Sequence, residues 1–421
     1  MKMSHSALNI SKNRINSADE SLATRILLQS GLLYRYSAGI YGKHNLLVLA
    51  QEKINNVVRN VLGKYGCVEV SLPLLQPKQI WEQSGRWSDY CNSGQMFTSS
   101  MKNGDYCMAP TAEEAMLTFV RNNLRTYKNL PVNLFQIGTK FRNELRSRGG
   151  LLRSKEFLMM DAYSFHESED DLRREYINMK QAYNEIFMKL GLTVLPVAAL
   201  NGDMGGKVSE EFMCISESGE DTILVNDEGT IGINSEVLEM PNASEYLLEY
   251  GIHDVSDLHE ERCIELGHIF QLGQLYSEAM GGYFKTKDNI DVPYYMGCYG
   301  IGLSRVLAAI LEENNDESGL VWPKTVSPYR VHIVAHSSKV ETATELYNEM
   351  LARGIPAIFD DRLDVSLGSK IKDAKLLGTP YMVIIGLKEH ENSKYELESR
   401  ADGEKGFYSF SEIVELMSES T

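Results

Sequence analysis

The sequence lacks the cysteine patterns of disulfide-rich and zinc-binding proteins. Its six cysteines are scattered along 421 residues without a C-x-x-C pair, so we expect reduced thiols, as in cytosolic proteins. Long apolar runs are also missing, because no uninterrupted stretch approaches the roughly 20 residues of a membrane-spanning helix. The first 20 residues have no apolar core behind their basic residues, so no secretory signal is expected there. These absences predict a cytoplasmic chain without a membrane span.

Positive charge is the second shortage. Lys and Arg total 42 against 58 Asp and Glu, which gives a net charge of −16. A protein that coats nucleic acid depends on many contacts between cations and phosphates, so the composition excludes that role and mildly disfavours any RNA partner. An RNA contact would need a local basic cluster. The remaining composition, 43% hydrophobic and 24% charged, is typical of an ordinary globular protein, and the length predicts two or three domains.

Hydrophobic periodicity predicts the main elements of the first part of the chain. Apolar residues recur every three or four positions over residues 46–62 and 170–190, which predicts two amphipathic helices. Alternating and β-branched residues predict strands. The predicted strands are residues 66–75, closed by Pro73, and then 133–141 and 156–163.

The pattern changes after the prolines at residues 323–328. Strand-like VHIVAH, a helix near residues 342–353, strand-like AIFDD, another helix and strand-like YMVIIG follow in alternation. This βαβ pattern predicts a small α/β domain. We therefore expect one domain over residues 1–328 and a second over residues 329–421.

One connection concentrates arginine in an otherwise acidic chain. Residues 141–157, FRNELRSRGGLLRSKEF, carry four arginines and a lysine between the two later strands. The planar guanidinium group offers a fork of donors that suits phosphate and carboxylate, so the cluster suits a polyanionic ligand. A solvated charged loop is the alternative that these residues alone leave open.

The wider pattern resembles a known family. F-R-x-E, a loop and R-x-K-E-F within residues 141–157 resemble the second signature of the class II aminoacyl-tRNA synthetases. Residues 66–87 resemble the first signature and residues 296–323 the third. The segments PTAEE, SEEF, ESGED, GHIFQLG, DDR and GTPYMVIIG occur between and after them in the family order. Together these segments resemble the prolyl-tRNA synthetases in particular.

This resemblance implies a fold and an activity. The implied fold is α+β, an antiparallel sheet flanked by helices, followed by a C-terminal α/β anticodon-binding domain, in a homodimer with the first signature at its interface. The implied reaction joins proline to ATP, giving prolyl-adenylate, and then transfers proline to the 3′ end of tRNA(Pro). Only a short connection, about residues 238–260, lies where longer bacterial relatives carry an editing insertion, so the chain resembles the short bacterial kind.

For ATP, the resemblance implies positioning without a general base, because the attacking carboxylate is already ionised. Arg142 matches the arginine that bridges the α-phosphate and the amino-acid carboxylate, where it stabilises charge that develops during the reaction. Arg153 matches the arginine that reaches the γ-phosphate. Phe157 and Arg305 match the pair that encloses adenine. The implied catalytic residues are Arg142, Arg153 and Arg305, and the implied ATP-binding residues also include Glu144, Phe157 and Gln271.

For proline and magnesium, the resemblance implies a second group of residues. Thr111 and Glu113 would receive the imino group of proline, Arg142 its carboxylate, and Tyr163 would line the ring pocket. Magnesium would bridge the phosphates, with Glu265 or Gln271 as candidate ligands. The residues alone also allow plainer interpretations, since PTAEE suits the acidic first turn of a helix and a tyrosine in a strand suits a hydrophobic core.

For tRNA, the resemblance implies contacts in two places. The implied tRNA-binding residues are Arg146 and Arg148 in the arginine-rich connection, and Asp361, Arg362 and Lys370 in the C-terminal domain. Arginine and carboxylate side chains can read exposed base edges in a single-stranded loop. A solvated charged surface is the alternative for these residues.

The sequence departs from the family pattern where RNA or the pocket neighbours would lie. The family's Arg-Pro-Arg becomes Arg-Ser-Arg at residues 146–148, and its Ser-His-Glu-Phe becomes Ser-Glu-Glu-Phe at residues 209–212. The implied ATP residues are intact. Two alternatives therefore stay open beside the main hypothesis. One is a divergent paralogue that activates proline or an analogue for a non-tRNA or specialised acceptor, and the other is a catalytically silent binding subunit.

Overall fold

The computed structural model describes residues 1–11, 20–147, 149–199, 204, 208–239, 243–249, 252–387 and 394–418, with the side chains of residues 245, 246 and 249 left out. The chain forms two compact units. The first comprises Met1–Ile54 with Ile310–Thr421, and the second comprises Asn55–Ala309. In the described part of the chain, no helix is both long and apolar enough to cross a membrane.

The helices and strands have the following bounds. The helices are α1 Leu22–Gln29, α2 Asn45–Lys64, α3 Lys78–Ser84, α4 Trp87–Asn92, α5 Glu113–Val120, α6 Glu169–Lys189, α7 Ala243–Glu249, α8 Leu275–Met280, α9 Leu303–Glu313, α10 Val340–Ala352, α11 Leu367–Leu377 and α12 Phe410–Ser418. The strands are β1 Leu33–Ser37, β2 Ile40–Lys43, β3 Val68–Glu69, β4 Leu75–Pro77, β5 Thr98–Met101, β6 Gly104–Met108, β7 Val132–Phe141, β8 Glu156–His166, β9 Leu195–Ala198, β10 Val208–Ile215, β11 Asp221–Asn226, β12 Gly232–Asn234, β13 Leu258–Gly273, β14 Tyr283–Lys285, β15 Asp291–Pro293, β16 Tyr295–Ile301, β17 Asn315–Asp316, β18 Gly319–Leu320, β19 Val331–Ala335, β20 Ala357–Asp360, β21 Tyr381–Ile385, β22 Lys394–Ser399 and β23 Lys405–Ser409.

A large sheet dominates the second unit. Its described strands run in the order β10-β9-β12-β11-β13-β16-β8-β7-β3, and β10 also pairs with β13. The central strands β13, β16, β8 and β7 are antiparallel, as predicted. Two peripheral pairs, β3 with β7 and β12 with β9, are parallel, which the sequence analysis did not anticipate.

The long helix α6 covers one face of this sheet. Ser168 accepts a hydrogen bond from the Asp171 backbone N–H and so satisfies one of the free donors at the helix start. Three acidic residues fill the first turn, where the helix dipole favours negative charge. The apolar stripe predicted from periodicity is buried on β8, β13 and β16. The prediction of a helix over residues 170–190 is therefore confirmed.

The predicted strand over residues 66–75 is mostly wrong. Only Val68 and Glu69 pair with β7. The Leu72 backbone N–H then donates to the side-chain oxygen of Gln136, at 3.1 Å, instead of continuing the ladder. Pro73 has no backbone N–H to offer a neighbouring strand, so the chain leaves the large sheet here, and β4 joins a separate sheet with β6 and β5.

The C-terminal residues of the first unit form a smaller sheet in the order β20-β19-β21-β22-β23. Strands β20, β19 and β21 are parallel, and β22 and β23 are antiparallel to their neighbours. Strand β19 is buried along its whole length, as expected for a strand covered on both faces by crossover helices. The predicted βαβ alternation is confirmed.

One glycine in the first unit has no room for a side chain. Gly378 ends α11 with φ +74°, and a Cβ there would lie 2.0 Å from the Leu320 carbonyl oxygen. The Gly378 carbonyl accepts the Trp322 backbone N–H at 3.0 Å, and the Trp322 indole N–H donates to the Leu377 carbonyl at 2.9 Å. The end of α11 therefore packs directly on the segment after β18.

We predict that Gly378→Ala lowers the free energy of unfolding by about 3 kcal/mol or more, from positive-φ strain and forced backbone movement together. Gly354→Ala is the matched control, because Gly354 also has positive φ, +71°, but nothing within 4 Å of a built Cβ. It should lose only about 1–2 kcal/mol. Denaturant unfolding followed by circular dichroism measures both, and equal losses would contradict the close approach at Leu320.

Candidate active site

A cavity of about 270 Å³ lies in the second unit, on the sheet strands β8, β13 and β16. The arginine-rich connection after β7 and the start of α5 complete its wall. Nine residues named from the family resemblance line this one cavity. They are Thr111, Glu113, Arg142, Glu144, Arg153, Phe157, Tyr163, Glu265 and Arg305. Residues separated by almost 200 positions in the sequence are thus brought to one place, although their individual roles stay predictions.

A buried carboxylate forms part of the cavity wall. Glu113, the first residue of α5, is fully buried. The Thr111 hydroxyl donates to it at 2.7 Å and the Cys298 thiol at 3.3 Å. Burial alone would raise the pKa of Glu113, but the Arg86 guanidinium, 3.2 Å away, and the Thr111 hydroxyl together bring that pKa below its usual value. Glu113 therefore presents an ionised carboxylate to the cavity.

Arg86 is a functional residue that sequence reasoning missed. One of its nitrogens bridges Glu113 and Glu114, at 3.2 and 3.1 Å. Its guanidinium also packs on the rings of Trp81, Tyr90 and Tyr276, with centroid distances of 5.4, 4.7 and 5.3 Å. The only sequence signal was an arginine next to Trp87 in the first signature, which could not reveal carboxylates 27 residues away.

Tyr163 is both a buried core residue and part of the cavity wall. It is fully buried in β8 and it lines the cavity. Its hydroxyl donates to Asp161 at 3.0 Å and accepts the Ala112 backbone N–H at 3.1 Å. Asp161 in turn accepts the buried Lys140 ammonium at 2.6 Å. Burial and the neighbouring carboxylate raise the pKa of Tyr163 well above its usual value, so the hydroxyl stays a donor.

The cations that line the cavity differ in their availability. In the described part of the chain, Arg142 has no carboxylate within salt-bridge distance. It donates to the Pro110 carbonyl at 3.3 Å and lies 5.4 Å from the centre of the Phe157 ring. Arg153 already pairs with Glu144 at 2.8 Å and with Glu220 at 3.1 Å. Arg142 can therefore bind an anionic ligand directly, whereas Arg153 must first exchange its partners.

Arg305 is held against the strand that carries Glu265. It donates to the Glu265 side chain at 3.0 Å, to the Glu265 carbonyl at 2.7 Å and to the Leu152 carbonyl at 3.0 Å. These bonds fix the guanidinium plane at the edge of the cavity before any ligand arrives.

A β-bulge in β13 builds a cluster of possible metal ligands. Phe212 of β10 pairs with Gly267 whereas Met213 pairs with Glu265, so β13 carries one extra residue. The bulge brings Glu265 to the same face as His268, and their ligand atoms lie within 4.8 Å of those of Glu211.

The cluster holds one ionised carboxylate and one carboxyl that a cation would have to deprotonate. Burial and the charge of Glu265 raise the pKa of Glu211 to about 8. Burial opposes ionisation of Glu265, but His268 and Arg305 lower its pKa to about 2. Two close carboxylates provide the oxygen ligands that magnesium prefers, whereas imidazole suits softer metals. The residues therefore fit a magnesium ion held by Glu211 and Glu265.

Gln271, a predicted site residue, does not line the cavity. Beyond the bulge, side chains of β13 alternate, and His268 and Phe270 line the cavity. Gln271 has the opposite parity to both and is not among the lining residues. Of the two candidates for magnesium, the structure therefore brings Glu265 to the cavity and leaves Gln271 out.

The departure at residues 209–212 has a structural explanation. Glu210, which stands where the family has histidine, pairs with Lys180 of α6 at 2.6 Å. Alternation along β10 directs Glu210 to the helix-covered face and Glu211 to the cavity face. The exchange of a histidine for a glutamate is thus compensated by a lysine and leaves the cavity lining unchanged.

The residues predicted to contact tRNA are less accessible than expected. Lys370 is wholly buried, and its ammonium donates to the carbonyls of Ala335 and Asp360 at 3.0 and 3.1 Å. Its contact with RNA stays a prediction, and it would require the side chain to leave the domain interior. In the second unit, Arg146 is exposed, and Arg148 lies outside the described residues.

The two neighbours of Lys370 in the prediction are also engaged. Arg362 pairs with Asp360 at 2.5 Å and with Asp373 at 2.7 Å. Asp361 accepts the Ser4 hydroxyl at 2.6 Å and the Ser4 backbone N–H at 2.8 Å. Their role in RNA binding stays a prediction, and it would require exchange of these partners.

Comparison with known families gives a match to each of two models. Residues 97–314 match the tRNA synthetase class II core domain (G, H, P, S and T). Residues 330–420 match the anticodon binding domain.

The chain is similar to curated proteins named proline–tRNA ligase. It is 38% identical to that of Sulfurimonas denitrificans over 414 residues, which cover 93% of this chain and 94% of the relative. It is also 38% identical to that of Rickettsia bellii over 391 residues, or 90% of each chain. Both alignments extend over nearly the whole of both proteins.

Solved structures share the fold. A prolyl-tRNA synthetase from Cryptosporidium parvum in complex with L-proline and AMP superimposes with a TM-score of 0.73 at 16% identity, covering 95% of this chain and 76% of the other. A second structure from that organism, with halofuginone and AMPPNP, gives 0.75 at 17% identity, covering 97% and 79%.

We predict that Arg86→Gln destabilises the protein by about 3–5 kcal/mol above neutral pH, because two buried carboxylates lose their shared cation. The pKa of Glu114 is already raised, chiefly by burial. Without Arg86, the pKa of Glu113 would also rise and that of Glu114 would rise further. A raised folded pKa means that stability is fully present below the unfolded value, about 4.3, and is lost as the pH rises through the folded value. The deficit should therefore shrink as the pH falls towards about 4.

Denaturant unfolding of wild type and variant across this pH range measures the deficit. Arg121→Gln is the control, since Arg121 donates to the Gln83 side chain and the Met280 carbonyl instead of a carboxylate. A deficit that is independent of pH would show that Arg86 acts through packing rather than charge.

Proposed function

The chain belongs to the proline–tRNA ligases, a family of class II aminoacyl-tRNA synthetases, and from that membership we propose that it activates proline with ATP and transfers it to the 3′ end of tRNA(Pro). The observation that carries the assignment to this cavity is its polarity. A buried, ionised carboxylate and an arginine without a carboxylate partner in the described chain both line it. A zwitterionic amino acid has the complementary charges.

Proline is proposed to bind with its secondary ammonium at Glu113 and Thr111. A carboxylate beside an ammonium gives a strong, charge-assisted hydrogen bond. The substrate carboxylate would lie at Arg142. Tyr163 and its bond to Asp161 would form the wall beside the ring, where a rigid phenol limits the size of the amino acid.

Arg142 is proposed to join the two substrates. Its guanidinium would bind both the proline carboxylate and the α-phosphate, which places the attacking oxygen next to phosphorus and stabilises the charge that develops there. Phe157, already 5.4 Å from Arg142, and Arg305 would hold adenine. Arg153 would release Glu144 and Glu220 to reach the γ-phosphate.

Magnesium is proposed to be held by Glu211 and Glu265. When bound, it would neutralise phosphate charge and orient the pyrophosphate leaving group. Glu265 is already fixed by Arg305 at 3.0 Å, so one ligand is prepared before the ion arrives.

The assembly is proposed to be a homodimer in the cytoplasm. Leu75 of β4 lies opposite Met108 of β6, and both are about half exposed together with Leu74 and Met101. An apolar surface of this kind is typical of an interface with a partner. None of the six cysteines forms a disulfide, which suits a reducing compartment.

Two other functions remain as candidates. Activation of proline or an analogue for a non-tRNA acceptor is favoured by the partners that occupy Asp361, Arg362 and Lys370. A catalytically silent binding subunit is disfavoured, because Arg142, Phe157 and Arg305 are all present and line one cavity.

We predict that Arg142→Ala abolishes proline-dependent ATP–pyrophosphate exchange, with a loss of at least about a hundredfold, because preorganised charge stabilisation is typically worth that much. Arg146→Ala is the matched control, since Arg146 lies in the same connection but is exposed and not part of the cavity lining. It should leave exchange, which needs no tRNA, unchanged. A variant at position 142 that keeps most of the activity would overturn the assignment.

We predict that the purified protein charges tRNA(Pro) at a rate comparable to its formation of prolyl-adenylate. Parallel assays of exchange with a panel of amino acids and of aminoacylation measure the two steps. Efficient exchange without charging would favour the paralogue, and no exchange with any amino acid would favour the silent subunit.

A further inference from the structure

The residues predicted from the sequence do not supply available positive charge for an RNA contact in the C-terminal region. Lys370 is buried, and Arg362 is already paired with Asp360 and Asp373. The chain carries a net charge of −16, so a polyanion is repelled unless cations are concentrated locally. A second basic cluster would therefore help this part of the protein to hold RNA.

Such a cluster lies in a second cavity, of about 120 Å³, wholly within the first unit. Four cationic side chains line it, and we call them the basic pocket: Lys53, Lys324, Arg330 and Arg353. Lys53 comes from α2, Lys324 and Arg330 from the segment before β19, and Arg353 from the end of α10. The fold thus brings together cations that are up to 300 positions apart in the sequence.

Two of the four cations in the basic pocket bond to uncharged partners. The Lys53 ammonium donates to the Ser327 carbonyl at 2.7 Å, and Lys324 donates to the Tyr381 hydroxyl at 2.6 Å. Both partners are uncharged. Arg353 pairs with Glu349 at 2.7 Å, with about half of its side chain exposed. Among the described residues that line the cavity there is no carboxylate.

The pKa of Lys53 reflects the nearby positive charge. Burial lowers its pKa, and the neighbouring Arg330 lowers it further. The Lys53 ammonium is therefore repelled by a second cation nearby, and an anion bound beside Lys53 would relieve both the repulsion and the loss of solvation.

The shape of the pocket limits the anion to a small group. Its volume holds several water molecules and is less than half that of the cavity proposed for ATP and proline. None of its described lining residues is aromatic, so it offers no stacking surface for a base. A tetrahedral phosphate group fits this chemistry, because lysine acts as a point charge for phosphate and arginine offers a planar fork.

We propose that the basic pocket binds a backbone phosphate of the tRNA, as a non-sequence-specific anchor for the anticodon-binding region. This inference rests on the proposed function, since it takes tRNA as the acceptor. A phosphate contact positions RNA without reading bases. It would therefore give affinity to a domain whose predicted base-reading residues are held by internal partners.

The test uses the full-length protein and the paired substitution Lys324→Gln with Arg353→Gln, which leaves the more buried Lys53 and Arg330 in place. We expect the KM for tRNA(Pro) in aminoacylation to rise about tenfold or more, as loss of charged hydrogen bonds predicts. The slope of log KM against log salt concentration should fall by about one for each phosphate contact removed. Proline-dependent ATP–pyrophosphate exchange should not change.

The matched control is Lys287→Gln with Lys372→Gln, which removes the same charge from two exposed lysines outside the basic pocket. It should leave both the KM for tRNA and its salt slope near the wild-type values. Thermal unfolding of both double variants verifies that they are folded. Equal effects of the two double variants would show a general charge effect and overturn the proposal.

A third measurement distinguishes RNA phosphate from free phosphate. Inorganic pyrophosphate is added to wild type and to the Lys324→Gln/Arg353→Gln variant, and the melting temperature is recorded. If the variant loses pyrophosphate-dependent stabilisation but keeps the wild-type KM and salt slope for tRNA, the pocket serves a free anion and the proposal fails. If wild type shows no exchange with proline at all, the proposed function fails instead.

Discussion

The sharing of one buried guanidinium between two buried carboxylates is the constraint on which the candidate site depends. An isolated carboxylate in an apolar interior would take up a proton rather than stay charged. Arg86 prevents this at Glu113 by lying 3.2 Å from it, and the rings of Trp81, Tyr90 and Tyr276 exclude water from the other sides of the cation. An ionised group that is ready for an ammonium therefore persists where water does not compete strongly.

The large sheet positions many of the other side chains that line the cavity. Strands β8, β13 and β16 are antiparallel neighbours, so alternate side chains of all three point into one space. The bulge in β13 adds Glu265 to that face, where Arg305 holds it. Tyr163 and the possible metal ligands are thus fixed by backbone ladders, which maintain distances better than mobile loops can. Glu113 instead begins α5, and Arg142 lies in the connection after β7.

The elements that were predicted correctly are those with strong local sequence patterns. Helix α6 and strands β7, β8 and β19 were predicted because a long amphipathic period or a continuous apolar run leaves few alternatives. The strand predicted over residues 66–75 failed because its pairing depends on Gln136, whose side chain captures the Leu72 N–H. The parallel edge pairs were missed for a similar reason, since a strand's direction relative to a distant partner has no local signature.

The sequence by itself determined the family, the order of the signatures and nine of the residues around the cavity, because those residue types recur at fixed spacing. Tertiary structure alone decided how they are used. It joined Arg86 to Glu113 and Glu114, moved Gln271 out of the cavity through the alternation of β13, and buried Lys370 against two carbonyls. It also assembled the basic pocket from three distant segments. Burial and pairing of a charge depend on residues far away in the chain, and a linear pattern does not contain those distances.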